Sequence, residues 1–170
     1  MEFLEASALV HKHYPKIKFF LVGPIASEGK QAISLSIIQS YSQHVQYLGR
    51  RNDVPALLSI ADLVVLPSYY REGIPRILLE AGALGCPIIT TDMPGCREIV
   101  KDGWNGWVTK PRDAKILADA IIKATRIPRE TLKKIGMNSC LYIERNFSLD
   151  VVCNAYENIY LECLNKSQNS

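Results

Sequence analysis

Glu72 and Glu80 are the two residues whose type and spacing most clearly predict chemistry in this sequence. Between them, Gly73 permits a tight turn with exposed backbone N–H groups. Ile74 and Pro75 follow, and proline is favoured at the first position of a helix. A helix is therefore predicted to begin directly after the turn. Its first N–H groups and the positive end of its dipole favour an anion such as a phosphate.

The two carboxylates are predicted to flank a phosphate bound at this turn. Glu72 lies in the loop just before the turn, and Glu80 lies on the helix, nearly two turns past its start. Ionised carboxylates accept hydrogen bonds from hydroxyl groups. The pattern therefore predicts a phosphate with a polyol on either side, as in a nucleotide sugar with its ribose, diphosphate and hexose.

Two other interpretations of the glutamates stay open at this point. In the first, Glu80 is a solvent-facing helix residue and Glu72 is a charge favoured by the helix dipole. In the second, the pair is the acid and base of a glycosidase. The second interpretation is disfavoured, because the carboxylates of a glycosidase do not need a phosphate-binding turn between them.

Short apolar runs rich in β-branched residues alternate with helical patterns along the chain. The predicted strands cover residues 17–23, 45–49, 62–67, 87–91 and 106–110. The predicted helices cover residues 2–13, 28–43, 53–61, 75–84, 113–125, 130–145 and 148–164, with Ser148 as the N-cap of the last. The strands are apolar on both faces, which is typical of a parallel sheet covered on both sides. The alternation predicts a Rossmann-like, doubly wound α/β sheet in one domain.

Ligands of such sheets bind outside the carboxyl ends of the strands. The loops after strands 17–23, 45–49 and 62–67 are therefore the candidate site loops. The sequence opens directly on a helix, whereas this fold normally begins with a strand. We expect the helix at 2–13 to belong to a βαβ unit whose first strand is absent, which would leave a sheet edge or apolar groove open.

Composition excludes several classes of function. The chain has 170 residues, a hydrophobic content of 48% and a formal charge of +3, and its basic residues are spread out. Nucleic acid binding is therefore not expected. The five cysteines form no Cys-x-x-Cys pair, no signal peptide opens the chain and no apolar run approaches 18 residues, so we expect a cytoplasmic protein with reduced thiols. No Gly-x-Gly-x-x-Gly follows a strand, which disfavours a dinucleotide oxidoreductase.

The segment 61–109, with the sequence ADLVVLPSYYREGIPRILLEAGALGCPIITTDMPGCREIVKDGWNGWVT, resembles the nucleotide-sugar-binding half of retaining GT-B glycosyltransferases. The family is glycosyl transferases group one, whose Glu-x7-Glu motif matches Glu72 and Glu80, and the likeness covers nearly the whole chain. It is similar to bacterial members that build lipid-linked oligosaccharides, O-antigen or capsule. The resemblance implies transfer of a hexose from a nucleotide sugar, with UDP as the default, to an acceptor glycan or lipid-linked sugar. It also implies retention, no metal or cofactor, and a location at the inner face of the membrane.

The resemblance assigns roles to individual residues. Glu80 matches the glutamate that holds the ribose hydroxyls. Glu72 matches the glutamate beside the donor sugar, which stabilises developing positive charge or contacts a sugar hydroxyl. Gly73, Ile74 and Pro75 match the turn whose backbone N–H groups meet the phosphate and hexose. Two further residues match positions at strand ends, Arg50 where the base binds and Gly23 where the preceding strand ends. In the next loop, Gly95 and Glu98 match a Gly-x-x-Glu pattern for which we expect a structural role.

The sequence departs from the family in two respects. We expect this chain to lack the N-terminal acceptor domain and the basic pair that neutralises the diphosphate in the loop after the first strand. Lys30, Arg50 and Arg51 do not occupy those positions. Without such a pair, the transition state loses several kcal/mol of stabilisation. Each 1.36 kcal/mol of activation free energy corresponds to about a tenfold change in rate. We therefore expect a donor-binding half that is inactive alone and that pairs with an N-terminal glycosyltransferase half. The alternative is a noncatalytic nucleotide-binding or partner module.

Overall fold

The computed structural model describes residues 1–25, 33–71 and 73–168. Its helices are α1 Glu2–His11, α2 Leu35–Ser40, α3 Val54–Ile60, α4 Arg76–Ala83, α5 Cys96–Ile99, α6 Ala114–Thr125, α7 Arg129–Phe147 and α8 Leu149–Gln168. Its strands are β1 Phe19–Val22, β2 Val45–Gly49, β3 Val64–Leu66, β4 Ile88–Thr91 and β5 Gly106–Thr109. Strands and helices alternate from α1 to α6, which confirms the predicted α/β class.

The strands form two parallel sheets. β1 pairs with β2, and Phe19 lies opposite Val45. β4 lies at the centre of the second sheet, between β3 and β5. Ile88 of β4 lies opposite Val64 on one side and Gly106 on the other. The domain thus has parallel pairing throughout its described strands, but the five strands do not join into one sheet.

Helices cover both faces of the strands. Ile89 of β4 belongs to a buried cluster that includes residues of α1, α2 and α6. Its neighbour Ile88 belongs to a second cluster that includes residues of α3, α4, α5 and α7. Successive residues of a strand point to opposite faces of the sheet, so these clusters are the two layers of the core. All four residues of β4 are buried.

The element boundaries differ from prediction in a few places. The helix predicted from Pro75 begins one residue later, and Pro75 is its N-cap, where the Leu78 N–H donates to the Pro75 carbonyl at 3.0 Å. The helix predicted over 28–43 is shorter than predicted: α2 spans Leu35–Ser40, with Ser34 as its N-cap and a turn over residues 41–43. Residues 26–32 lie outside the described part of the chain. The short helix α5 was not predicted. Ser148 has the predicted N-cap contact, since its hydroxyl oxygen accepts from the Val151 N–H at 3.4 Å.

The described helices include none that is both long enough and apolar enough to cross a membrane. Within the described residues, the cysteines form no disulfide. Cys86 is buried and donates to the Leu58 carbonyl at 2.9 Å, and burial raises the pKa of its thiol.

Candidate functional site

The carboxyl ends of β1 and β2 are tied together by two glycines. The Gly23 N–H donates to the Gly49 carbonyl at 2.9 Å, and the Tyr47 hydroxyl donates to the Gly23 carbonyl at 2.8 Å. Gly23 has φ +144° and Gly49 has φ +67°, a region of backbone conformation that favours glycine. These contacts place Gly23 beside the loop that begins at Arg50, so two of the predicted site residues lie at adjacent strand ends.

The loop after β2 is held by an ion pair next to Arg50. The Arg51 guanidinium donates to both carboxylate oxygens of Asp53, at 2.8 Å and 2.6 Å. This pair lowers the pKa of Asp53 and raises that of Arg51. Both groups are exposed, so the pair orders the loop more than it stabilises the fold. Arg50 is exposed and, within the described residues, forms no ion pair.

The loop after β3 carries two stacked tyrosines. The ring centroids of Tyr69 and Tyr70 lie 4.5 Å apart, and their hydroxyl oxygens lie 3.3 Å apart. The Arg112 guanidinium lies 4.7 Å from the Tyr69 ring centroid, in cation–π contact. The hydrogen bond to Tyr70 is the main cause of the raised pKa of Tyr69. The two rings form an aromatic surface directly before the turn at Gly73.

Three threonine hydroxyls, none of them predicted as site residues, fix this edge of the sheet. Thr90 donates to the Leu66 carbonyl at 2.9 Å, and Thr109 donates to the Thr90 carbonyl at 3.0 Å. Thr91 donates to the Ser68 carbonyl. All three threonines are buried. They hold the start of the loop after β3 against β4. In the sequence, the feature that could have identified them is the pair Thr90–Thr91 at the end of the otherwise apolar strand β4.

The turn into α4 leaves space for a ligand. Among the described residues beyond its chain neighbours, no heavy atom lies within 4 Å of where a Cβ on Gly73 would be, and Ile74 is 37% exposed. Among the described residues, no side chain forms a capping hydrogen bond to the start of α4, and Pro75 itself offers no side-chain acceptor. Backbone N–H groups at a helix start need a partner from a side chain, water or a ligand. The turn therefore has the features that a helix-terminal anion site requires.

Glu80 lies closer to the turn than predicted. It is the fourth residue after Arg76, about one turn into α4 rather than nearly two. Its side chain is 38% exposed and its Oε1 lies 3.5 Å from an Arg76 guanidinium nitrogen. The opposite face of α4 is anchored in the core by Leu78 and Ala81, both 0% exposed. Glu80 is thus a half-exposed carboxylate on a firmly packed helix.

Glu72, the predicted catalytic residue, lies outside the described residues, and so does Lys30. The role of Glu72 stays a prediction, as do the donor-binding roles of the other site residues. Within the described chain, no group of three or more His, Cys, Asp or Glu residues could hold a metal ion.

Glu98 has the structural role that its motif predicts. Its carboxylate accepts from the Gly95 N–H at 2.5 Å, and Gly95 has φ +89° at the start of α5. The Tyr142 hydroxyl donates to the Glu98 carbonyl at 3.1 Å, which ties α5 to α7. Glu98 therefore closes the loop after β4.

We expect Glu98→Ala to lower the free energy of unfolding by about 1 kcal/mol, the usual cost of a lost helix cap. Glu98→Gln keeps an acceptor oxygen and should lose less. Urea unfolding of the three chains measures both effects. A Glu98→Ala chain as stable as the parent would show that the hydrogen bond to Gly95 contributes nothing.

The fold and the loops at the carboxyl ends of the strands first define the class of protein. The chain is a Rossmann-like α/β domain, because its parallel strands are covered by helices on both faces and end in glycine turns and a helix start. The model of the family "Glycosyl transferases group 1" matches residues 2–139, so the chain belongs to this family. The family resemblance of the sequence is thereby confirmed.

The named relatives include two bacterial glycosyltransferases. The chain is 38% identical over 120 residues to the N,N'-diacetylbacillosaminyl-diphospho-undecaprenol alpha-1,3-N-acetylgalactosaminyltransferase of Campylobacter jejuni, covering 71% of this chain and 30% of the relative. It is 27% identical over 161 residues to the capsular polysaccharide biosynthesis glycosyltransferase CapM of Staphylococcus aureus, covering 94% of this chain and 41% of the relative. The chain thus spans about a third of the length of these relatives.

Solved structures share the fold. A glycosyltransferase from Rickettsia africae has a TM-score of 0.82 at 23% identity, covering 96% of this chain and 44% of that one. HepE of Anabaena, solved in complex with UDP, has a TM-score of 0.76 at 25% identity, covering 92% of this chain and 44% of that one. These neighbours are GT-B glycosyltransferases, and the described chain corresponds to a partial C-terminal-like Rossmann domain of that fold.

Proposed function

We propose that this chain is the donor-binding half of a retaining glycosyltransferase that transfers a hexose from a UDP-sugar to an acceptor glycan or lipid-linked sugar. The observation that carries the proposal is the start of α4, where a glycine turn without a described side-chain cap lies one turn from the half-exposed Glu80. The UDP bound by HepE supports UDP as the nucleotide. The undecaprenol-linked substrate in the name of the Campylobacter relative supports a lipid-linked acceptor and a cytoplasmic location at the inner face of the membrane.

In this proposal each residue has a binding task. Glu80 accepts hydrogen bonds from the ribose hydroxyls. The backbone of Gly73, Ile74 and Pro75 binds the phosphate and hexose, and Glu72 stabilises the charge that develops on the donor sugar. Arg50 lies at the strand end where the base binds, and Gly23, which ends the preceding strand, completes the donor-binding residues. Catalysis then consists of positioning the donor and stabilising the leaving diphosphate, with no metal or cofactor.

The isolated chain is proposed to bind the donor without transferring the sugar. The acceptor and the remaining charge on the diphosphate require a second, N-terminal glycosyltransferase half. A noncatalytic nucleotide-binding or partner module of a split or degenerate glycosyltransferase is the alternative function. Sugar transfer that appears when an N-terminal half is added would support the split enzyme over the binding module.

Calorimetric titration of the chain with UDP, GDP and ADP tests the proposed site. We expect UDP to bind, and Glu80→Ala to weaken its affinity about tenfold or more, which corresponds to about 1.4 kcal/mol for lost hydrogen bonds to a charged acceptor. Glu130→Ala is the matched control. Glu130 is also a helical glutamate in an ion pair, with Lys133 at 3.2 Å, but it lies on α7 and is 80% exposed.

The control should bind UDP with the affinity of the parent chain. Equal losses of UDP affinity in Glu80→Ala and Glu130→Ala would show that Glu80 does not contribute to the binding site. A flat titration by the folded parent chain would overturn the proposal that this domain binds the donor by itself.

A further inference from the structure

Two histidine rings meet at the end of the domain opposite the donor site. His11 is the last residue of α1, and His44 lies in the turn directly before β2. Their Nδ1 atoms are 3.1 Å apart, and their ring centroids are 5.3 Å apart. The donor site lies at the carboxyl ends of the strands, whereas this histidine pair lies at the amino end of β2. The pair is therefore a separate feature of the fold.

A hydrogen bond fixes which nitrogen of His11 carries the hydrogen. Its Nε2 lies 2.6 Å from the Ile17 carbonyl oxygen, which can only accept a hydrogen bond. Nε2 is therefore the donor, and Nδ1 of the neutral ring presents a lone pair toward His44. Histidines that bind metals almost always have this arrangement, in which one ring nitrogen donates to a carbonyl or carboxylate and the other coordinates the metal.

Packing and backbone contacts hold both rings in place. The His11 ring lies edge-on to the buried Phe19 ring, with the ring centroids 5.5 Å apart. The His44 N–H donates to the Tyr41 carbonyl at 2.8 Å, which fixes the turn before β2. Both histidines are half-buried. Little side-chain entropy therefore remains to be lost when a ligand binds to the two nitrogens.

The separation of the two nitrogens suits chelation of one zinc ion. Zinc–nitrogen bonds are about 2.0–2.1 Å long, so two nitrogens 3.1 Å apart subtend an angle of about 100° at the metal, near the tetrahedral value. Neutral imidazole is the form that binds metals. Neutral His44 presents its own Nδ1 lone pair once its hydrogen has moved to Nε2. Both rings can then coordinate the metal without a net loss of protons from the chain.

The surroundings of the pair leave room for further ligands. Both rings line a surface cleft together with the polar side chains of Ser42, Gln43 and Gln46. Among the described residues that line this cleft there is no carboxylate, and Lys18 is the one charged side chain. Lys18 is exposed, so solvent and salt screen its repulsion of a cation. The remaining coordination positions are therefore open to water.

We propose that Nδ1 of His11 and Nδ1 of His44 bind a zinc ion, with water in the remaining positions. The site fastens the end of α1 to the start of β2, and it takes no part in sugar transfer. Imidazole binds zinc and similar transition metals, whereas magnesium and calcium take oxygen ligands. Because the two nitrogens come together only in the folded chain, zinc should also stabilise the fold.

Nitrogen NMR of the imidazole rings in the folded chain, titrated with zinc chloride, tests the site. The exposed thiols of Cys153 and Cys163 are first blocked with iodoacetamide, because thiolates also bind zinc. Zinc should shift the Nδ1 resonances of His11 and His44. It should leave those of His13, the third histidine of the chain, unchanged. Magnesium chloride should shift none of them.

Two matched variants check the assignment. His44→Gln removes one ligand and leaves the hydrogen bond from His11 to Ile17 intact, so it should weaken zinc affinity at least tenfold in a calorimetric titration. His13→Gln, at an exposed histidine two residues from His11, should bind zinc as tightly as the parent chain. Zinc should raise the midpoint of thermal unfolding of the parent and of His13→Gln, but not that of His44→Gln.

Three results would overturn the proposed zinc site. They are no shift of the two Nδ1 resonances at millimolar zinc, an equal shift in all three histidines, and unchanged zinc affinity in His44→Gln. In each case the contact between His11 and His44 would be a hydrogen bond between the rings and nothing more. The test uses no nucleotide, so its failure is distinct from failure of the donor site.

Discussion

Gly136→Ala is expected to lower the free energy of unfolding by about 3 kcal/mol, at the upper end of the cost of overpacking. A Cβ at position 136 would lie 1.9 Å from the carbonyl oxygen of Gly85 and 2.9 Å from its carbonyl carbon. Both are backbone atoms of the turn that ends α4, and Gly85 has φ +71°, so the turn cannot rotate away cheaply. The better helix propensity of alanine offsets only about 1 kcal/mol of this destabilisation.

Urea unfolding measures this effect, and Gly73→Ala is the matched control. A Cβ on Gly73 meets no atom within 4 Å in the described part of the chain beyond its neighbours in sequence, so the free energy of unfolding should change by about 0.5 kcal/mol or less. Because α7 packs against α4, which carries Glu80, Gly136→Ala should also weaken UDP binding. A Gly136→Ala chain that matches the Gly73→Ala control in stability would mean that the contact between α7 and Gly85 is looser than described.

Asn105→Ala is expected to cost about 3 kcal/mol, because it leaves the buried Ile99 carbonyl and the part-buried Lys101 N–H without their side-chain partner. The Asn105 side chain is fully buried, its Nδ2 donates to the Ile99 carbonyl at 3.0 Å, and its Oδ1 accepts from the Lys101 N–H at 2.7 Å. The Ser139 hydroxyl also donates to the Asn105 carbonyl at 2.8 Å, which ties the turn to α7. Asn105 therefore holds the loop between α5 and β5 in shape.

Thermal and urea unfolding test the asparagine against an exposed counterpart. Asn146 also donates its Nδ2 to a carbonyl, that of Tyr142 at 2.8 Å, but in an exposed position where water can replace it. Asn146→Ala should change the free energy of unfolding by about 0.5 kcal/mol or less. Similar values for the two variants would contradict the proposed cost of the buried, unpaired groups.

Local signals in the sequence determined most of the elements. The run VQYLG was predicted as a strand over 45–49, and β2 has those bounds. Pro75 and Gly85 marked the ends of α4 to within one or two residues. These signals are reliable because apolar periodicity and the backbone limits of proline and glycine act within a few residues. The Glu-x7-Glu spacing likewise placed Glu80 on the helix after the turn, although Glu80 lies about one turn into α4 and not the predicted two.

Only the tertiary structure decided how distant segments meet. Helix α5 has four residues, too few for a periodic pattern, and depends on the contacts of Glu98 with Gly95 and Tyr142. The packing of Gly136 on Gly85 joins residues far apart in the chain, as do the threonine bonds from β4 to the β3 loop. The division into two sheets is decided by which strand edges find a partner, and pairing between distant strands leaves no mark on the local pattern of either strand. The sequence by itself thus determined the elements and the candidate site at the carboxyl ends of the strands, whereas long-range packing decided what holds that site in place and which of the described strands pair with each other.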